Sequence, residues 1–193
     1  MRVTSEHEHV LTERLDLRRT DPATDLDELF PIFSDPAGWW YDPDSRHTTR
    51  ERTETWLTRA AARFDADGLS YWTVRRRDSG AIIGVGGAQR QSTRAWNLNY
   101  RLATAHQGHG FATELGRAAQ AAASALDAAV PFIAWVAPHN TPSVKVAERL
   151  GLTNCGLRAD PSDGELRLAY ADRPLESGAW EAPAATRQAP GTR

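Results

Sequence analysis

The stretch Gln107-Gly108-His109-Gly110-Phe111-Ala112-Thr113-Glu114 decides how this chain is read. It lies between a predicted strand over 95–103 and an alanine-rich helix predicted over 110–126. Two glycines one residue apart allow a tight turn and let a ligand approach the backbone where a Cβ would otherwise stand. The first turn of a helix presents N–H groups without an intrahelical partner, and the aligned peptide dipoles add partial positive charge there. Together these features describe an anion site suited to a pyrophosphate. A plain strand-to-helix turn would use the same residues. The pattern is neither the P-loop, which ends in Gly-Lys-Ser/Thr, nor the dinucleotide-binding G-x-G-x-x-G.

Outward from this loop, strand and helix signals alternate. Residues 14–19 (RLDLRR) alternate Leu15 and Leu17 with polar neighbours, a strand pattern. Leu26, Leu29, Phe30 and Phe33 fall at helical spacing over 24–33, and Asp35-Pro36 ends that helix. A loop with Trp39, Trp40 and Tyr41 leads to a second helix over 48–64. Strands follow over 70–77 and 81–89, joined by the hairpin signal Asp78-Ser79-Gly80. Beyond the long helix, 131–137 (PFIAWVA) is the apolar run of a strand buried on both faces. An amphipathic helix over 141–150 stops at Gly151, and strands over 152–157 and 165–171 flank a turn at 160–164. The order β-α-α-β-β-β-α-β-α-β-β predicts an α+β fold, a mixed sheet with helices on both faces. Residues 1–10 read as a flexible start, 11–178 as one domain, and 179–193 as a disordered tail rich in Ala and Pro.

Composition narrows the function classes. A net charge of -2 over 193 residues gives no sign of phosphate-backbone binding, so a nucleic-acid partner is not expected. The single cysteine, Cys155, rules out an intramolecular disulfide framework and agrees with a reducing, cytoplasmic setting. No run approaches the roughly 20 apolar residues that span a bilayer, and the first residues lack the apolar core of a secretory signal. The six histidines and one cysteine show no metal-ligand spacing.

The segment 107–112 fits Q/R-x-x-G-x-G/A, the pyrophosphate signature of the GNAT N-acetyltransferases, and Phe111-Ala112-Thr113-Glu114 resembles the GYATE string of their RimJ/RimL-like branch. Other landmarks of that branch occur in order. Leu11 to Arg18 resembles the opening LxTERLxLR, Ile82-Ile83-Gly84 an xIG strand, Pro138 to Ser143 the P-x-N-x-x-S string, and Glu148 to Leu152 the E/K-K-L-G-F that follows. The resemblance spans about 11–157. It implies a twisted, mostly antiparallel sheet of about seven strands, with a splay between the fourth and fifth. It also implies acetyl-CoA as cosubstrate, a primary amine as acceptor, and a homodimer.

The resemblance also assigns roles. Main-chain N–H groups over Gln107, Gly108, His109, Gly110, Phe111, Ala112 and Thr113 would hold the pyrophosphate of coenzyme A. The backbone of Leu102, Ala103 and Thr104 would line the pantetheine arm, one N–H serving as an oxyanion donor. Asn140 would bond the pantetheine, or act as a helix cap. Ser143, one turn along, is the candidate proton donor to the leaving thiolate, or a capping serine; the tyrosine many acetyltransferases carry further along that helix is Ala147 here. Trp39, Trp40, Tyr41 and Asp42 would contact the acceptor, Asp42 attracting its cationic amine, unless one tryptophan plugs the core. No general base identifies itself: His139, Asp42, Asp44 and Glu54 are candidates, and each reads first as a solvated surface side chain. Protein N-termini and small-molecule amines both remain open as acceptors. A non-catalytic acyl-CoA-binding domain is the alternative, since a pure binder would keep the glycine loop and the Asn140–Ser143 string.

Overall fold

The computed structural model describes residues 6–91, 95–175 and 180. Strand β1 (His9–Leu11) precedes β2 (Leu15–Arg19), in which Leu15 and Leu17 are fully buried while Arg18 faces solvent. Helix α1 (Pro22–Ser34) starts at Asp21, whose carboxylate accepts from the Ala23 N–H. Helix α2 (Arg50–Asp67) is capped by Thr49 and ends on Gly68 at φ 77, a left-handed conformation glycine adopts without penalty. Strands β3 (Tyr71–Arg76) and β4 (Ile82–Arg90) form the predicted hairpin around Gly80. Then follow β5 (Trp96–Leu102), α3 (Phe111–Leu126), β6 (Phe132–Val136), α4 (Thr141–Arg149), β7 (Thr153–Ala159) and β8 (Leu166–Ala171).

The strands form one sheet in the order β1-β2-β3-β4-β5-β6-β8-β7, antiparallel except for the β5–β6 pair. Helices α3 and α4 cover one face over a core that includes Leu15, Trp72, Ile83, Leu115 and Phe132. Helices α1 and α2 cover the other, over Leu29, Phe33, Leu57, Tyr71 and Val85. Burying an aliphatic or aromatic side chain of this kind contributes roughly 1.5–3 kcal/mol. A third group, Ile133, Ala169 and Ala171, is covered by Trp180.

The sheet has eight strands where about seven were expected, the additional one being β1, and Glu6–Glu8 ahead of it forms a 3-10 turn. Main-chain pairing of His9, Val10 and Leu11 with Arg18, Leu17 and Asp16 holds β1 at the sheet edge, and the Trp72 indole donates to the His7 carbonyl at 2.6 Å. Residues 1–5 and, apart from the buried Trp180, the tail over 179–193 lie outside the described residues.

The parallel pairing of β5 and β6 is two residues long, Trp96 with Phe132 and Asn97 with Ile133, after which the strands part. This is the expected splay; the extra strand β1 makes its borders the fifth and sixth strands.

Candidate active site

A cleft of about 850 Å³ occupies the splay and runs through the sheet from α4 to the loops after α1. Its character follows from β5. Ala103 donates to the Ile83 carbonyl at 2.9 Å, and antiparallel pairs alternate, so Leu102, opposite Gly84, turns its N–H and C=O away from β4 into the gap. Its carbonyl accepts from Gln107 Nε2 at 3.1 Å. Of the three residues singled out at the end of this strand, Leu102 therefore has the free inward N–H. The Ala103 N–H is spent on the sheet, and Thr104 opens a 3-10 turn with its hydroxyl on Asp35.

The glycine loop stands beside this strand end. Gly108 and Gly110 have φ of 79 and 82, and Gly110 is the N-cap of α3 with no side chain capping it. A Cβ on Gly108 would meet nothing within 4 Å, and one on Gly110 only Arg14 Nη2 at 3.5 Å. The space over the helix start is thus open to a polyanion. The rings of His109 and Phe111 stack at 6.0 Å. Phe111 and Thr113 bury their side chains, leaving only their main chain to bear on a ligand, while Ala112 is partly exposed.

Two of the sequence strings prove to be one contact. Glu114 accepts from the Thr12 hydroxyl at 2.6 Å, the Arg14 N–H at 2.8 Å and Arg14 Nε at 2.7 Å, while Arg14 Nη1 donates to the His109 carbonyl. Burial alone would raise the Glu114 carboxyl, but the hydrogen bonds from Thr12 and Arg14 outweigh it and hold it below its ordinary value. The first turn of α3 is thereby fixed to the β1–β2 turn.

Across the splay, Asn140 is buried and caps α4, its Oδ1 accepting from the Ser143 N–H at 3.3 Å. Ser143 faces the cleft, and the hydroxyl of Tyr100 donates to its Oγ at 3.1 Å. Ala147 follows one turn later, also lining the cleft. Burial pushes the Tyr100 phenol up to about 12, against the opposing hydrogen bond to Ser143.

The α1–α2 side of the cleft is aromatic, with a charged rim. The tryptophan pair divides its roles. Trp39 is buried, its indole N–H on the Phe33 carbonyl at 2.6 Å and the Arg101 guanidinium 3.4 Å over its ring. Trp40 is 52% exposed and lies edge-on to Tyr41 and His139 outside the cleft lining. Tyr41 accepts from Arg101 at 2.7 Å, and both Tyr41 and Asp42 line the cleft. His139 Nε2 lies 2.9 Å from the Tyr41 carbonyl, joining this loop to the start of α4. Asp44 and His139 also line the cleft; Glu54 is exposed on α2 and does not. Trp56 stacks on Tyr71 at 5.1 Å, and His47 sits against Phe33, Trp39 and Trp56 with Nδ1 3.0 Å from the Thr53 hydroxyl. The opposite rim is the β7–β8 turn, where Arg167 bridges Asp160 and Asp163 at 2.7 Å each. Asp42, Asp44, Asp160, Asp163 and Glu165 outnumber Arg52, Arg101 and Arg167 along the lining, which makes the rim net acidic.

Tyr100, Arg101, His47 and Trp56 were not singled out from the sequence. Only Tyr100 carried a local signal: it precedes Leu102 by two on a strand and so shares its face.

The sequence model of the acetyltransferase (GNAT) domain matches residues 14–153. Among solved structures, a protein from Bordetella pertussis assigned to the GNAT acetyltransferases is similar at 24% identity and TM-score 0.73, over 86% of this chain and 100% of that one. RimL, a ribosomal L7/L12 α-N-protein acetyltransferase in complex with coenzyme A, is similar at 18% identity and TM-score 0.68, over 84% of this chain and 95% of that one. A ribosomal-protein-S5-alanine acetyltransferase from Vibrio fischeri is similar at 19% identity and TM-score 0.67, over 84% of this chain and 94% of that one. At these identities the structures speak for the fold; the domain match speaks for the family.

Proposed function

The chain belongs to the GNAT acetyltransferases, and from that premise we propose that it moves the acetyl group of acetyl-CoA onto a primary amine by direct attack in a ternary complex. The observation that carries this reading is the splay: one cleft passes from α4, which shares its face of the sheet with α3 and the glycine loop, to the face bearing the carboxylate rim. Cosubstrate and acceptor can thus meet from opposite sides of the sheet.

In this reading the main-chain N–H groups over 107–113 hold the pyrophosphate at the start of α3. Leu102 and Asn140 address the pantetheine arm, and the Leu102 N–H polarises the thioester carbonyl, where charge develops on attack. The neutral amine adds to that carbonyl, the tetrahedral oxyanion collapses, and Ser143 gives its hydrogen to the departing thiolate. Positioning supplies much of the acceleration. Asp42 and the rest of the rim gather the amine, and Trp39 and Tyr41 shape the wall it passes. A peptide N-terminus is the acceptor class we favour: the rim is built from exposed residues (Pro43, Asp44, Ser162, Asp163, Glu165), and RimL and the S5-alanine enzyme share the fold. The enzyme is taken to work in the cytoplasm, as a homodimer by family analogy.

The test is a competition. Purified enzyme and acetyl-CoA are mixed with a pool of short peptides with free N-termini and a pool of small amines, and acetylated products are identified by mass. Products confined to the peptides support the reading; products confined to small amines move the acceptor class; no product from either pool contradicts transfer to amines.

A further inference from the structure

We infer that Tyr100 is a positioning residue for acetyl transfer, acting through Ser143: its phenol reaches across the splay from β5, fills one lone pair of the serine, and leaves the serine hydrogen aimed at the departing thiolate. The inference rests on the reading of Ser143 as proton donor given above.

The geometry is a bridge over the gap. Tyr100 stands on β5 beyond the last residue paired with β6, and Ser143 stands in the first turn of α4, the helix that follows β6. Their hydroxyl oxygens are 3.1 Å apart, and both residues line the cleft. A serine hydroxyl has one hydrogen and two acceptor sites. A phenol is much the stronger acid of such a pair, so the phenol donates and the serine accepts. The backbone N–H of Ser143 is committed to Asn140 Oδ1, which fixes the turn from which the hydroxyl projects. With one lone pair filled by Tyr100, the serine hydrogen is free to turn into the cleft.

The phenol is itself held. Gly86 lies opposite Tyr100 on β4, and a Cβ there would come within 2.6 Å of both Tyr100 Cβ and Leu115 Cδ2. The ring therefore rises from a position packed against bare backbone and the α3 core. Burial keeps the phenol protonated across the physiological range, so it serves as a donor and not as a base.

The step balances without any further reagent. The C–S bond breaks as the oxyanion collapses, and sulfur takes the Ser143 hydrogen as the serine oxygen takes the Tyr100 hydrogen. In the same relay solvent water passes to the Tyr100 oxygen the proton that the amine nitrogen lost, so that no standing phenolate forms. The net change is one proton moved from nitrogen to sulfur, and no free serine alkoxide forms on the way.

A double-mutant cycle tests this, with Tyr100→Phe, Ser143→Ala and the pair assayed on an acceptor that the wild type acetylates. Phenylalanine keeps the ring and its packing, and thermal midpoints of all four proteins are compared to establish that they fold. The expected result is a fall in kcat of about tenfold for Tyr100→Phe, with KM for acetyl-CoA unchanged and no further fall when Ser143 is already alanine. In mixtures of light and heavy water, the wild-type rate is expected to show more than one proton in flight and the Tyr100→Phe rate only one. An equal loss from Tyr100→Phe in both backgrounds, or a loss confined to KM, overturns the inference. So does full activity of Tyr100→Phe in an enzyme that Ser143→Ala has crippled, and that outcome leaves the parent reading standing. Full activity of Ser143→Ala overturns the parent reading and the coupling with it.

Discussion

His47 shows how much a single residue can owe to its surroundings. Its ring stacks on Phe33 at 4.4 Å and is buried with Trp39 and Trp56 around it, and burial, helped by Arg52 and Arg101, lowers its pKa from 6.5 to about 4. The folded protein thus keeps His47 neutral at pH values where the unfolded chain protonates it. The unfolded state then binds the extra proton, so stability is lost as pH falls from 6.5 toward 4. Urea midpoints measured at pH 7 and pH 5 should drop in the wild type and drop less in His47→Gln, which retains a hydrogen-bonding group near Thr53. The lowered carboxyls of Asp16 and Glu114 do not mask this, because their losses begin lower on the pH scale. Equal drops in both proteins would contradict the assignment. None of this was legible in the sequence, where His47 is one histidine in a polar loop; its partners come from α1, the following turn and α2. The glycine loop was legible for the opposite reason. Gly108 and Gly110 state their left-handed geometry locally, whatever the rest of the chain does. Trp39 and Trp40 lie between these cases: the sequence named both readings, and only packing could divide them.

At the scale of elements, β4 and β5 frame the site, and their junction depends on a close approach. Gly84 sits at φ 154, and a Cβ added there would lie 2.1 Å from the Arg101 carbonyl oxygen and 2.9 Å from Leu102 Cα. Both neighbours are backbone, which cannot swing aside as a side-chain tip can. Gly84→Ala should therefore cost about 3 kcal/mol of stability, read as a lowered denaturant midpoint, and it should displace the Leu102 N–H from the gap. Gly116→Ala makes a useful contrast, because the atom it meets at 2.7 Å is the end of Leu150, which can shift. A Gly84→Ala protein as stable as the wild type would contradict this account of the junction. Elements were legible where a period or a cap ran long enough to register, as in the apolar run 131–137 or Gly151 closing α4. Strand β1 was not, since His9-Val10-Leu11 is too short to display alternation and owes its extended form to the edge of β2. The Arg14–Glu114 contact lay hidden in a different way. Both residues stood in recognised strings, but residues 100 apart in the chain disclose a contact only once the sheet is built.

Over the whole molecule, the sheet order and the two-residue pairing of β5 with β6 turn a continuous sheet into one with a passage through it. Helix α3 brings the glycine loop to one face, and the loops after α1 and between β7 and β8 bring an acidic rim to the other. The identity of the sheet followed from motifs in order along the chain, whereas the wall opposite α4 is assembled from residues far apart in the chain, of which only the string Trp39 to Asp42 stood out in the sequence. The central claim is that these two faces serve one transfer. Its most direct test is thiol release from acetyl-CoA, followed with and without an amine acceptor in the wild type and in Gly110→Trp. That variant places an indole over the start of α3 and forces a side chain onto a φ of 82. The account predicts acceptor-dependent thiol release by the wild type, reduced at least about a hundredfold in the variant together with its affinity for acetyl-CoA. Thiol release that survives the variant undiminished, or a wild type that binds acetyl-CoA and never releases thiol to any amine, would contradict it.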